Sequence, residues 1–160
     1  MTQEPAPVVI AYDGSELSGA AVRHPAELFP GRPAVVATVW EPGLAFQAMP
    51  PSAGLDAGSM PPDPETIQAV DHAQQEHASR VALEGAELAR SLGLAAEPHA
   101  VPDEADVADT LINLARERGA AAIVVGSHGI SGLRSRMLGG VSRKLIQHCD
   151  RPVLVVRGEA

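Results

Sequence analysis

The chain has 160 residues, 45% of them hydrophobic but only 2% aromatic, so a single domain of this size has a core of Ala, Val, Leu and Ile. Its net charge of −8 argues against nucleic acid and against an anionic membrane surface as partners, because both are held through Lys and Arg. One cysteine, Cys149, permits no internal disulfide, the start has no basic segment followed by a long apolar core, and no run approaches the roughly 18 apolar residues of a membrane-spanning helix, so the expected location is the cytoplasm.

In chain order, "PVVIAY" (Pro7 to Tyr12) is a short aliphatic run that reads as a buried strand, ended by the turn Asp13-Gly14-Ser15. "ELSGAAVRHPAELF" is helical, with Ser15 as its N-cap, and Pro25 is expected to kink or interrupt it. "PAVVATVW" (Pro33 to Trp40) is the second strand. The Pro/Gly-rich stretch from Glu41 to Pro64 reads equally as a mobile insertion and as a flap over a ligand. From Glu65 to Leu92 one long helix carries an apolar stripe of Ile67, Val70, Ala73, Ala78, Val81, Ala82 and Leu88, and Gly93 closes it.

"AAEPHAV" (Ala95 to Val101) is a weaker third strand, and "DEADVADTLINLARERG" a fourth-quarter helix with Asp103, Glu104 and Asp106 at its positive end. "AAAIVVG" (Ala120 to Gly126), "GVSRKLIQHC" and "RPVLVVR" (Arg151 to Arg157) supply a strand, a helix and a last strand. Strands alternating with helices over residues 1–160 predict one α/β domain, a five-stranded parallel sheet with right-handed crossovers.

In such sheets ligands lie beyond the carboxyl ends of the strands, where the strand order reverses. Three segments should meet there: the turn Asp13-Gly14-Ser15, the strand end Val39-Trp40, and the loop after the fourth strand. That loop, "GSHGISGLRSRMLGGVS", is the strongest signal. Gly126 and Gly129 allow close backbone approach, while Gly139 and Gly140 open a helix whose free N–H groups suit a phosphate. Arg134, Arg136, Arg143, Lys144 and Arg151 make the segment locally cationic. A glycine-rich crossover with solvated arginines accounts for the same residues, and the commoner phosphate and nucleophile motifs are absent.

Other positions carry less. Asp13 reads either as a Mg²⁺ ligand on a bound nucleotide or as a turn acceptor for the Ser15 N–H. His128 reads as a solvent-facing loop histidine, and Asp71, His72, Glu76 and His77 as a solvated helix face rather than a metal site. Cys149 reads as a small buried apolar residue. No residue set that activates water stands out, so no catalytic residue is assigned.

"GSHG", nine residues, then "GGVS" and "CDRPVLVV" resembles the universal stress proteins, as does the opening "VVIAYDGSELS". The family signature of Gly, two residues, Gly, nine residues, Gly, then Ser or Thr falls on Gly126, Gly129 and Gly139, with Gly140 at the hydroxyl position. The resemblance implies a Rossmann-like domain of the adenine nucleotide alpha hydrolase type, with helices on both faces of its sheet. It also implies ATP or AMP as ligand, with Mg²⁺ accompanying the nucleotide, and a homodimer. By position, Asp13 would face ribose and adenine, Val39 would hold adenine through its backbone, and Gly126, Gly129, Gly139, Gly140, Val141 and Ser142 would line the phosphates.

Pairing of the last strand, Pro152 to Val156, with its copy across a sheet edge would form the dimer. Gly140 departs from the signature. Treated as an N-cap it costs the helix only a few tenths of a kcal/mol relative to Ser. The lost hydroxyl weakens nucleotide binding by about tenfold unless the Ser142 hydroxyl compensates. The expectation is an adenine-nucleotide-binding stress-response regulator; the rival readings are a dimeric interaction module that has lost the nucleotide, and a slow ATPase.

Overall fold

The computed structural model describes residues 4–43, 63–103, 105–128 and 138–158. Nine elements follow one another: β1 (Val8–Ala11), α1 (Glu16–Leu28), β2 (Pro33–Trp40), α2 (Pro64–Ser91), β3 (Ala95–Pro102), α3 (Val107–Glu117), β4 (Ala122–Gly126), α4 (Gly140–His148) and β5 (Val153–Val156). The strands form a five-stranded sheet in the order β3-β2-β1-β4-β5, and every pairing is parallel.

The chain therefore starts in the middle of the sheet, builds outward through β2 to β3, and then crosses back to β4 on the other side of β1. Right-handed crossovers place helices on one face while the chain winds one way and on the opposite face after it reverses. The packing agrees. On one face Ala21, Val22 and Ala26 of α1 and Ala86 and Ala89 of α2 cover Val8, Ile10, Val36 and Val124. On the other, Leu111, Ile112 and Ala115 of α3 and Leu145 of α4 cover Val9, Val35, Ile123 and Val125. Strand residues alternate between the two faces, so both sides of β1, β2 and β4 need apolar side chains, which is why these strands read as unbroken aliphatic runs.

The predicted elements are present, with corrections at their ends and in one interior. Pro25 does not interrupt α1, which runs through it to Leu28. Pro25 is buried near the helix end, so the ring's missing N–H orphans a carbonyl of one turn only, and the helix still closes with the Phe29 N–H donating to the Pro25 carbonyl. The helix expected from Asp103 begins at Val107, capped by Asp106, whose Oδ1 accepts from the Asp109 N–H at 3.0 Å. Asp103 stays outside it and accepts from the Ala105 N–H and the Thr110 hydroxyl. The last strand is shorter than expected, Val153–Val156, and occupies a sheet edge beside β4. Most of the 41–64 stretch, Glu104, and the loop from Gly129 to Met137 lie outside the described residues. No helix among the described residues is long and apolar enough to cross a membrane.

Candidate functional site

The strand order reverses between β1 and β4, so the crevice of interest lies beyond the carboxyl ends of β1, β2 and β4. Three backbone features converge on it. β1 ends in a turn at Asp13, whose Oδ1 accepts from the Ser15 N–H at 2.9 Å, with Gly14 at φ 80°. This bond is the turn-acceptor role expected of Asp13. Ser15 caps α1 by accepting from the Ser18 N–H.

The second feature is the β2 end. The last registered β1–β2 pair is Ala11–Ala37, and the Ala37 carbonyl accepts from the Tyr12 N–H. β2 continues for three residues past it, to Trp40, whose carbonyl faces β3 and accepts from the Asp103 N–H at 2.8 Å. Backbone groups alternate sides along a strand. Val39 therefore turns its N–H and C=O to the same side as Ala37, over the end of β1, where the ladder has stopped. The buried Thr38 hydroxyl donates to the Tyr12 carbonyl at 2.8 Å and holds the two strand ends together. Burial, then the Glu84 and Asp13 carboxylates, push the Tyr12 phenol above its usual pKa.

The third feature is the start of α4. Its N-cap is Gly139, with no side-chain cap bond, and Gly140 is the first helical residue. The first intrahelical bond runs from the Arg143 N–H to the Gly139 carbonyl, so the helix itself supplies no partner for the N–H groups of Gly140, Val141 and Ser142. This corrects the expectation for residue 140: it is not the cap, and a Ser there would not cap the helix. Among the described residues nothing lies within 4 Å of a Cβ built on Gly140, which is exposed.

The Ser142 compensation is corrected as well. Ser142 is buried, and its hydroxyl donates to the Ser127 carbonyl at 3.1 Å and, more weakly, to the Gly139 carbonyl at 3.3 Å. Its single proton is therefore committed inside the protein, although its N–H still faces outward with the first turn. Gly126, expected to admit a ligand, and Gly139, expected to open the helix, are both bare for internal reasons. A Cβ on Gly126 would meet Leu17 of α1 at 3.0 Å, and one on Gly139 would meet the Ser127 carbonyl at 3.1 Å. Gly129 lies outside the described residues.

The cationic patch also reads differently in three dimensions. Lys144 ion-pairs with Asp106 and, at 2.7 Å, with Asp109, which joins α4 to α3. The Asp106 carboxylate raises the Lys144 pKa and Lys144 lowers that of Asp106. Arg151 donates to the Ala120 carbonyl at 2.7 Å, at the amino end of β4 and so at the opposite end of the sheet. Arg143 lies at the site, where it donates to the Leu138 carbonyl at 3.2 Å; Arg134 and Arg136 are outside the described residues. His128 is half-buried, with Nδ1 2.9 Å from the Ser127 hydroxyl, rather than solvent-facing.

Ser127 and Thr38 escaped sequence reading. A hydroxyl at a strand end has no periodic signature, and its role depends on which strand ends beside it. No cluster of three metal-ligating side chains occurs among the described residues.

A parallel sheet wound both ways from a central first strand, with a helix start and a strand edge meeting at its switch point, defines a Rossmann-like α/β domain. The model of the Universal stress protein family matches residues 6–157. Universal stress protein YxiE of Bacillus subtilis is 32% identical over 161 residues, covering 94% of this chain and 97% of that protein. The chain belongs to the universal stress protein family.

Solved structures agree in fold. MJ0577 of Methanocaldococcus jannaschii superposes with a TM-score of 0.74 at 18% identity, covering 98% of this chain and 99% of its own. A universal stress protein family member of Arabidopsis thaliana with AMP bound has a TM-score of 0.62 at 16% identity, covering 98% and 94%. Further neighbours in the family were solved in complex with dAMP, in the Archaeoglobus fulgidus protein, and with cAMP.

Proposed function

We propose that this protein binds an adenine nucleotide in the switch-point crevice and acts as a cytoplasmic, homodimeric stress-response regulator. The observation that carries the reading is the juxtaposition at the strand ends: three N–H groups of the first turn of α4 face the crevice opposite the unpaired backbone edge of Val39. The helix end, with its partial positive charge, suits the phosphate. The Val39 N–H and C=O suit the donor and acceptor edge of adenine, and Asp13 lies on the ribose side. In this reading Gly126, Gly139, Gly140, Val141 and Ser142 line the phosphate end, and the family signature assigns Gly129, outside the described residues, to the same end. Relatives solved with AMP, dAMP and cAMP support the ligand class. In this reading Mg²⁺ would accompany the nucleotide, and Asp13 is the residue that would hold it.

The edge position of β5 supports dimerisation through Pro152 to Val156, since an edge strand presents unpaired N–H and C=O groups to a copy of itself. Titration calorimetry with ATP, AMP and cyclic AMP tests the ligand. Heat and a thermal shift with at least one are expected; neither, with any of them at millimolar concentration, overturns the reading.

One observation favours a second reading, an interaction module without nucleotide. Residue 140 has no hydroxyl and the Ser142 hydroxyl is committed inside, so neither position offers a hydroxyl to a phosphate at the start of α4. An empty wild type together with a Gly140→Ser variant that binds ATP would select that reading.

A further inference from the structure

The geometry points to Ser142 as a positioning residue for the phosphate end: a buried latch that docks the first turn of α4 on the end of β4, not a donor to the ligand. The inference rests on the nucleotide reading above and says how its anion cradle is built. The Ser127 carbonyl, one residue past β4, accepts from two members of the α4 start, the Gly139 N–H at 2.8 Å and the Ser142 hydroxyl at 3.1 Å. Ser142 is only 1% exposed. Gly139 fits this joint only without a side chain, since a Cβ would press on the Ser127 carbonyl at 3.1 Å and lie 3.8 Å from the Ser142 Oγ. Ser127 is itself fixed, its N–H donating to the Val156 carbonyl of β5 at 2.8 Å.

Strand end and helix start therefore form one joint. The N–H groups of Gly140, Val141 and Ser142 point into the crevice only while that joint is closed. Backbone N–H groups bind an anion well when held in place before it arrives, because little ordering then remains to be done on binding. With Lys144 engaged by Asp106 and Asp109, the start of α4 offers the anion its backbone N–H groups and Arg143, and the placement of that backbone tunes affinity.

Ser142→Ala removes the latch without orphaning a polar group, because the Ser127 carbonyl keeps the Gly139 N–H, so the variant folds. Gly139→Ala strains the same joint by a different route. The test measures Kd for AMP and for adenosine, with amide exchange at Gly139 followed by NMR. In both variants AMP binding is expected to weaken by about tenfold while adenosine binding is unchanged. In Ser142→Ala, exchange at Gly139 accelerates by about tenfold, with the β1 and β4 amides unaffected. Equal loss of AMP and adenosine, or unchanged AMP affinity, overturns the latch. If the wild type binds neither compound, the nucleotide reading has failed, and unchanged exchange at Gly139 in Ser142→Ala overturns the latch by itself.

Discussion

Residue 140 is where this chain leaves its family's signature, and the structure turns that departure into a number. Gly140→Ser places a Cβ where no described residue lies within 4 Å, and Gly140 has no positive φ. As the first helical residue rather than the cap, it contributes only through helix propensity, a gain of a few tenths of a kcal/mol. For a chain of this size that raises Tm by about 1 °C. A hydroxyl beside the free N–H groups adds one hydrogen bond to a charged phosphate, worth about 1.5–3 kcal/mol, or roughly 10- to 100-fold in affinity. Calorimetric titration with AMP and ATP reads the affinity, and thermal unfolding without ligand reads the stability. The two effects differ so much in size that they separate cleanly. A variant that gains its degree of Tm but binds both nucleotides no more tightly than the wild type would refute the placement of phosphate at the α4 start.

Gly85→Ala should destabilise by about 1–3 kcal/mol through overpacking, because its Cβ would stand 2.7 Å from the Tyr12 ring and 2.8 Å from Val36; urea unfolding checks this. Leu145 is fully buried on the α3–α4 face, and Leu145→Ala should cost about 2–5 kcal/mol by the same measurement. Ser15→Ala should cost about 1 kcal/mol by removing the α1 cap, while Ser15→Gly costs only a few tenths; equal effects would show that the cap bond is unimportant. The Asp106–Lys144 pair gives stability a pH dependence with a definite sign. The Asp106 pKa is depressed, so its contribution is present above the ordinary value of 3.8 and lost as pH falls through the lower folded value. The Lys144 pKa is raised, so its contribution is present below 10.5 and lost as pH rises through the higher folded value. Lys144→Met should flatten both limbs of a plot of unfolding midpoint against pH, and unchanged limbs would dismiss the pair as a contributor.

The strands were legible because burial on both faces forces continuous aliphatic runs, and no other reading suits "VVIA" or "IVV" followed by a turn. The carboxyl-end location of the crevice followed from alternation alone. The hydroxyls were not legible. From the sequence Ser142 is one residue after Val141 at a helix start, a good place for a phosphate donor. Only the fold reveals that the third helical residue of α4 faces inward onto the Ser127 carbonyl. Position 140 suffered the converse error, since a one-residue shift of the helix start turns a cap into a first helical residue. Charge misled for the same reason. Lys144 and Arg151 add positive charge to the segment in one dimension, but one is balanced by two carboxylates of α3 and the other points to the far end of the sheet.

Helix α2 shows what periodicity does and does not report. Its 28 residues span about 42 Å at 1.5 Å per residue, whereas the eight residues of β2 or β3 span about 26 Å. Because α2 runs antiparallel to the strands it connects, its surplus length projects past their carboxyl ends. The burial pattern follows: Ala78, Ala82, Gly85, Ala86 and Ala89 are buried, and nothing from Pro64 to His77 is. Ile67 and Val70 repeat with the same period as Ala78 and Ala82, yet they are only half-covered, and Ala73 is exposed. The stripe records which side of the helix faces inward along its whole length. Whether a sheet lies beneath a given turn is set by the length of the strands, which is written elsewhere in the chain. The unsupported turns stand on the flank of the crevice, and the Asp71 carboxylate ties them to the Gly43 N–H at 2.8 Å, three residues beyond the end of β2. That bond makes the first half of α2 and the exit of β2 one side wall, so the crevice is bounded by the half of a helix that the sheet itself does not hold.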